Sequence, residues 1–323
     1  MVQIGTHSGT FHCDEALGCF LLNQTDTFED ASVVRSRDPA VLDTLDIVID
    51  VGGTYEPGRQ RYDHHQRGFT EVFGHGFNTK LSSAGLVYKH YGREIIARLI
   101  GKQQTDPDVE TIYLAVYRNF VEAVDAVDNG INQWDTTEPP KYLSKTSLSS
   151  RVGALNPVWN EPQSSEILDS KFREAMTLTG SEFNDCVHYL HKSWLPARDI
   201  VKSAVEQRKD VDPSGEIVKM TQYAPWKEHL HDLEEDLSLS PPIKYVLYED
   251  DREKKWRVQA VAISPTSFDS RKALPAEWRG LRDDELSNMA GITGCVFVHA
   301  SGFIGGHATE AGALEMARKG LKL

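Results

Sequence analysis

Apolar positions in the N-terminal part of this chain fall into short runs that alternate with amphipathic stretches. Residues 2–5 read as a first strand, followed by a polar loop at 6–10. From 14 to 22 the apolar residues Ala16, Leu17, Cys19, Phe20 and Leu21 mark a mostly buried helix. Residues 32–34 form a short strand pattern and 46–51 a stronger one. The apolar centre of the latter, with Gly52-Gly53 behind it, predicts a buried parallel strand ending at a crevice. Helices are predicted at 82–91, 94–100 and 106–128, the last with Pro107 in its first turn and Gly130 just past its end. Strands alternating with helices imply a parallel sheet that binds its ligands beyond the carboxyl ends of the strands.

The pattern changes after residue 138. Residues 139–163 are rich in Pro, Ser and Asn, as in a linker or a long active-site loop. A helical stretch at 165–209 carries Pro196, which predicts a kink. Strand patterns then dominate at 216–222, 244–248, 256–263 and 295–299, before a terminal helix from Thr309. The expected fold is α/β: an N-terminal domain (1–138) with a mostly parallel sheet flanked by helices, a linker and helical connector (139–210), and a smaller α+β domain (211–323).

Composition narrows the function. The 323 residues are 40% hydrophobic, enough for a substantial core, and contain no apolar run long enough to span a membrane. Four scattered cysteines without a CxxC pair indicate neither a disulfide framework nor a zinc knuckle, and they fit a reducing compartment. Met1-Val2-Gln3-Ile4 enters strand pattern at once, so no leader is expected. The net charge of −13 argues against a general nucleic-acid coat protein but not against an enzyme whose acidic residues hold cations. GxSxG and Walker A motifs are absent, which removes the common serine-hydrolase and P-loop readings.

Four element ends carry candidate chemistry. His7, His12 and Asp14 surround the first strand-to-helix elbow; His12 and Asp14 can equally be caps for that helix. Asp50 ends the most apolar strand, where an isolated carboxylate is costly unless solvated, paired or metal-bound. Asp63-His64-His65 follows a strand-like segment and precedes Gly68, a surface turn or part of a metal–phosphate site. Asp125 and Asp128, spaced i,i+3, extend an apolar stripe through Leu114 and Val121, or belong to a frayed last turn. Should these ends converge, like charges repel, and two divalent cations remove the conflict. A mixture of imidazole and carboxylate suits Mn²⁺ better than Mg²⁺, with zinc also admissible.

Anion-binding parts are present as well. Lys80, Ser82 and Ser83 stand at a predicted helix start whose hydroxyls and N–H groups suit phosphate. Arg35, Arg37 and Arg67 can supply guanidinium contacts or surface ion pairs. Arg151 and Trp159 lie in the polar linker, where Trp159 can stack on a base or anchor one domain to another. Gly305-Gly306-His307 allows close backbone approach to a ligand, or forms a plain tight turn.

These residues resemble the DHH phosphoesterase superfamily, which includes RecJ nucleases, manganese pyrophosphatases and oligonucleotide hydrolases. More closely, the chain resembles the Myg (melanocyte proliferating gene) family, described as a 3′-5′ RNA exonuclease. The resemblance rests on Gly5-Thr6-His7, Phe11-His12-Cys13-Asp14-Glu15-Ala16-Leu17, 61–67, 80–85, 124–130, Trp194-Leu195-Pro196-Ala197-Arg198 and 299–307. It implies a metal-dependent exoribonuclease acting on single-stranded RNA with two divalent cations, most naturally Mn²⁺. It also implies nuclear and mitochondrial location. His7, His12, Asp14, Asp50, Asp63 and Asp125 (with Asp128 as the alternative) would be ligands; Asp50 would bridge, and Asp50, His64 and His65 would be catalytic. His12 departs from the superfamily pattern, standing where its first motif has an aspartate, with one residue inserted before it. His299, Gly305, Gly306 and His307 resemble part of the superfamily's C-terminal substrate-binding domain, without its full triple glycine. The rival readings are hydrolysis of short oligonucleotides, pyrophosphate or other small phosphoesters, and a non-catalytic nucleotide-binding module.

Overall fold

The computed structural model describes residues 2–323. Its first apolar run forms β1 (Gln3–Thr6), followed by α1 (Cys13–Leu22), β2 (Ser32–Arg35), the short α2 (Pro39–Leu42) and β3 (Ile47–Ile49). β1 lies between β2 and β3 and runs parallel to both. Two short strands, β4 (Tyr55–Glu56) and β5 (Arg61–Tyr62), complete the order β2-β1-β3-β5-β4, with β5 parallel to β3 and β4 antiparallel at the edge. Ile47, Val48 and Ile49 are buried, as expected of a parallel strand covered on both faces. α1 covers it so closely that a Cβ at Gly18 would lie 2.7 Å from Ile49 Cδ1.

A hairpin of β6 (Val72–Gly74) and β7 (Phe77–Lys80) leads into α3 (Ser83–Ile100). The pattern predicts two helices there, but α3 is continuous through Gly92. At that position the rings of Tyr113 and Tyr88 occupy the space a side chain would need, 2.6 Å from a Cβ in the case of Tyr113. The predicted helix at 106–128 is divided into α4 (Pro107–Val116), a π-helical turn at Tyr117–Val121, and α5 (Glu122–Asp128). Residues 131–147 have no regular structure; α6 (Leu148–Gly153) and α7 (Ser165–Tyr189) follow, and both pack against α1.

The chain divides into two compact units, Met1–His191 and Lys192–Leu323. The second contains α8 (Leu195–Glu206), α9 (Arg208–Val211), β8 (Ile217–Lys219), α10 (Lys227–Asp236), β9 (Tyr245–Glu249), β10 (Trp256–Ala260), α11 (Asp283–Ala290), β11 (Cys295–Val298), β12 (Ile304–His307) and α12 (Glu310–Lys322). Pro196 is the second residue of α8, and a π-helical turn at Leu190–Trp194 directly precedes that helix. The sheet order is β11-β12-β10-β9-β8, antiparallel except for β8 with β9. Alternation along β9 divides two cores. Tyr245 and Leu247 pack with Trp278, Leu286 and Met316, while Val246 and Tyr248 pack with Val205, Trp226 and Leu230. Gly305-Gly306-His307 is not a turn but strand β12, paired on both sides. No helix among the described residues is long and apolar enough to cross a membrane.

Candidate metal centre at the strand ends

β1, β3 and β5 are parallel neighbours, so His7, Asp50 and Asp63, each the residue after its strand, leave the sheet at the same edge. Asp50 turns the chain with φ +59°, a left-handed conformation that costs a non-glycine residue about 1 kcal/mol or more. The turn sets its carboxylate among three imidazoles. Oδ2 lies 3.4 Å from His7 Nε2, and Oδ1 lies 3.5 Å from His64 Nδ1 and 3.6 Å from His65 Nδ1. α1 starts at this edge with His12 as its N-cap. The Glu15 carboxylate reaches back to the His12 N–H at 2.8 Å and meets His7 Nε2 at 2.9 Å. From α5, Asp128 Oδ2 meets His64 Nε2 at 3.0 Å.

Potential donor atoms gather in three groups: His7, His12, Glu15 and Asp50; Asp50, Asp63, His64 and His65; and His12, Asp14 and Asp128. Asp50 belongs to the first two and His12 to the first and third. A cavity of about 280 Å³ is lined by His7, His12, Arg37, Asp50, Gly53, Asp63 and His65. Another, of about 340 Å³, is lined by His12, Asp14, His65, Asp128 and Ser149. His12 and His65 border both.

The charges are frustrated without a cation. Burial, reinforced by Asp50 and Asp128, drives the Asp14 carboxyl well above its ordinary range, and burial also raises Asp50. Burial opposes the charged form of His7, but hydrogen bonds to Asp50 and Glu15 prevail and lift it to about 10. Burial likewise opposes ionisation of Asp128, yet its hydrogen bond with His64 holds it below the usual carboxylate value. Asp63 is also held low: against the cost of burial, it accepts N–H bonds from Gly53 (2.6 Å) and His65 (3.1 Å). Asp14 Oδ1, Asp50 Oδ1 and His64 Nδ1 are buried without hydrogen-bond partners. Buried polar atoms are rarely left so, and orphaned oxygen and nitrogen atoms in a carboxylate–imidazole cluster are what a divalent-cation site requires. These residues fit divalent cations.

Asp125 lies outside the three groups. It is fully buried, and its Oδ1 accepts from Ser82 N (2.9 Å), Ser82 Oγ (2.7 Å) and Gly85 N (3.0 Å), its Oδ2 from Tyr117 Oη (3.0 Å). Ser83 gives its N–H (3.2 Å) and hydroxyl (2.7 Å) to Asp14 Oδ2. The anions bound at the start of α3 are therefore the chain's own carboxylates, and the hydroxyls of Ser82 and Ser83 are already engaged. Lys80 lies over the Phe69 ring. Arg35 is buried between Phe11 and Phe172, bonding Gly9 O and Asp169. Arg37 is exposed beside His7; Arg67 and Trp159 are exposed, and Arg151 pairs with Glu182.

In the second unit, exposed His299 bonds Ser301 at 2.9 Å. Gly305 and Gly306 are buried in β12, where a Cβ on either would meet a neighbour at 2.9 Å. His307 is buried, bonded to Thr293 O and Thr309. Glu15 is the site residue that the sequence reading passed over. Its signal was the helix-start spacing His12-x-x-Glu15, the geometry of a capping box.

The model of an uncharacterised protein family, UPF0160 (MYG1_exonuc), matches residues 3–321. The MYG1 exonuclease of Homo sapiens is 53% identical over 98% of this chain and 85% of its own length. A MYG1 protein of Caenorhabditis elegans is 49% identical over 99% and 95%, and one of Saccharomyces cerevisiae is 44% identical over the same shares.

Proposed function

This chain belongs to the MYG1 exonuclease family, and from that premise we propose that it is a metal-dependent nuclease removing nucleotides from the 3′ end of single-stranded RNA. The observation that carries the proposal is Asp50. Its two oxygens face different imidazoles, and it is common to two adjacent groups of potential ligands, as a bridging carboxylate must be.

His7, Glu15 and Asp50 would hold one cation, with His12 at its exposed side. Asp50, Asp63 and His64 would hold the other, with Asp14 and Asp128 next to it. Asp128 is preferred to Asp125 because both oxygens of Asp125 are consumed by donors. Two divalent cations, Mn²⁺ by the mixture of donors, supply an activated water and neutralise charge on the phosphate and the leaving oxygen.

The chain's own residues do the remainder. Ser83 fixes Asp14, and the N–H groups of Gly53 and His65 fix Asp63, so the carboxylates are oriented before substrate arrives. His65 Nδ1 bonds Asp63 Oδ1 at 2.7 Å, leaving Nε2 of this largely exposed ring for the substrate. There it can take a proton from water or return one to the departing 3′ oxygen. A net charge of −13 favours short RNA over long, since a long strand gains little from such a surface.

The test is cleavage of end-labelled single-stranded RNAs of graded length with Mn²⁺ by the wild type, Asp50→Ala and His64→Ala. Loss of turnover in both folded variants is expected. Unchanged cleavage by both would refute the proposal.

A further inference from the structure

The sheet that carries the metal centre turns its other face to a small, arginine-rimmed cavity. Ile49 of β3 points at α1, so its neighbour Val48 points the opposite way, into a cluster with Leu42, Leu45, Val34 and Val51. Arg61, the β5 partner of Val48, stands on that same face. Here a cavity of about 200 Å³ has an apolar floor of Pro39, Leu42, Val48 and Val51, with Arg37, Arg59 and Arg61 around it. It shares Arg37, Val51 and Gly52 with the cavity that contains His7, Asp50 and Asp63. At about 200 Å³ it is smaller than the roughly 300–1,000 Å³ of pockets that take a whole small molecule. It suits one part of a ligand whose remainder lies in the adjoining cavity.

The hydrogen bonds select that part. Arg61 directs Nη1 at Arg59 O (3.1 Å) and Gln60 O (3.2 Å), and Nη2 at Leu42 O (3.3 Å) and Leu45 O (3.2 Å). Arg37 gives Nε to Ser8 O at 3.1 Å, and Arg59 gives Nη1 to Glu56 at 3.2 Å. A guanidinium whose edge is engaged in this way still offers its flat face, which stacks on aromatic rings. Asp43 also lines the cavity; its carboxylate repels a second phosphate but can accept from the amino group of a base. The Thr54 hydroxyl, donating to Gly52 O at 3.3 Å, keeps lone pairs for a ring N–H. An apolar floor, flat cations and a few acceptors match a nucleobase rather than an anion.

We propose that this cavity holds the base of the nucleotide whose phosphate sits at the metal centre. The proposal rests on the nuclease reading and adds the subsite that separates a nucleotide from a bare phosphoester. Stacking on guanidinium faces is tolerant of base identity, as removal of successive nucleotides requires.

Calorimetry on the full-length chain with Mn²⁺ tests it by comparing AMP with ribose 5-phosphate, which has the same sugar and phosphate and no base. Wild type should bind AMP about tenfold or more tightly, the scale of base stacking. Arg59→Ala removes an exposed side chain, and Thr54→Phe fills the cavity. Both variants are first required to melt and to bind Mn²⁺ as wild type does. Each should then bind AMP about fivefold or more weakly and ribose 5-phosphate unchanged. Equal affinity of wild type for the two ligands overturns the inference. So does an equal loss of both ligands in the variants, the mark of charge alone, or no loss of AMP in either. Failure of the nuclease reading is a separate result, namely no cleavage of RNA by the wild type.

Discussion

Replacing Asp125 distinguishes a carboxylate that holds the fold from one that holds a metal. In the wild type it receives four hydrogen bonds from three residues, wholly out of water. Asp125→Ala strands those donors, and with each buried unsatisfied group worth roughly 1–3 kcal/mol and partial relaxation, the loss should be about 3–5 kcal/mol. At about 2–4 °C per kcal/mol for a protein of this size, the melting temperature should fall by roughly 6–20 °C. Asp125→Asn is different. Burial pushes the carboxyl up to about 7, so near neutrality much of it is already protonated; an amide has nearly the same shape, its oxygen can accept the three bonds now made to Oδ1, and its NH₂ can donate to the Tyr117 hydroxyl, which accepts as well as donates. The asparagine variant should melt within a few degrees of wild type and bind Mn²⁺ unchanged by calorimetry, whereas Asp128→Asn should bind it at least tenfold more weakly. The pH dependence has a definite sign. A raised native pKa gives Asp125 a stabilising contribution present in acid and lost as pH rises through about 7, so the advantage of wild type over Asp125→Asn should shrink between pH 5 and 8. A folded Asp125→Asn variant that loses Mn²⁺ would refute the structural assignment.

Three other predictions follow from the same geometry. Chelation should lower the melting temperature by several degrees and Mn²⁺ should restore it, because saturation at about a hundred times the dissociation constant is worth roughly 2.7 kcal/mol; an identical melt in chelator and in Mn²⁺ would count against a cation among Asp14, Glu15 and Asp50. Glu15→Gln keeps an acceptor for the His12 N–H but removes the charge beside His7, so helicity by circular dichroism should be preserved while Mn²⁺ affinity falls about tenfold or more. Gly85→Ala places a Cβ 2.3 Å from both Asp125 oxygens, and denaturant unfolding should show a loss of about 2–4 kcal/mol.

The sequence made the strand ends readable because burial writes itself as an apolar run, and the polar residue after such a run marks the edge of the sheet. His7, Asp50 and Asp63 could be found that way. The choice between Asp125 and Asp128 could not be read, because it depends on the π-helical turn at Tyr117–Val121. One extra residue in a turn rotates all that follows by about 100°, so the apolar stripe at Leu114 and Val121 says little about the face on which either aspartate lies. The start of α3 was legible as an anion site, but not that its anions would be Asp14 and Asp125, distant in sequence. Glu15 was hidden by its second occupation as a cap. In β12, a glycine pair that looks like a turn is a strand pressed against Leu274 and Phe297 too tightly for side chains.

The carboxylates and imidazoles at the sheet edge come from β1, α1, β3, β5 and α5, elements spread from His7 to Asp128. No short segment of the chain holds more than a fraction of the cluster, so an unfolded chain offers a cation only weak and scattered contacts. The ion therefore arrives at an assembled edge rather than nucleating it. In kinetic terms, Mn²⁺ should leave the refolding rate of the metal-free chain almost untouched and act instead as a brake on unfolding.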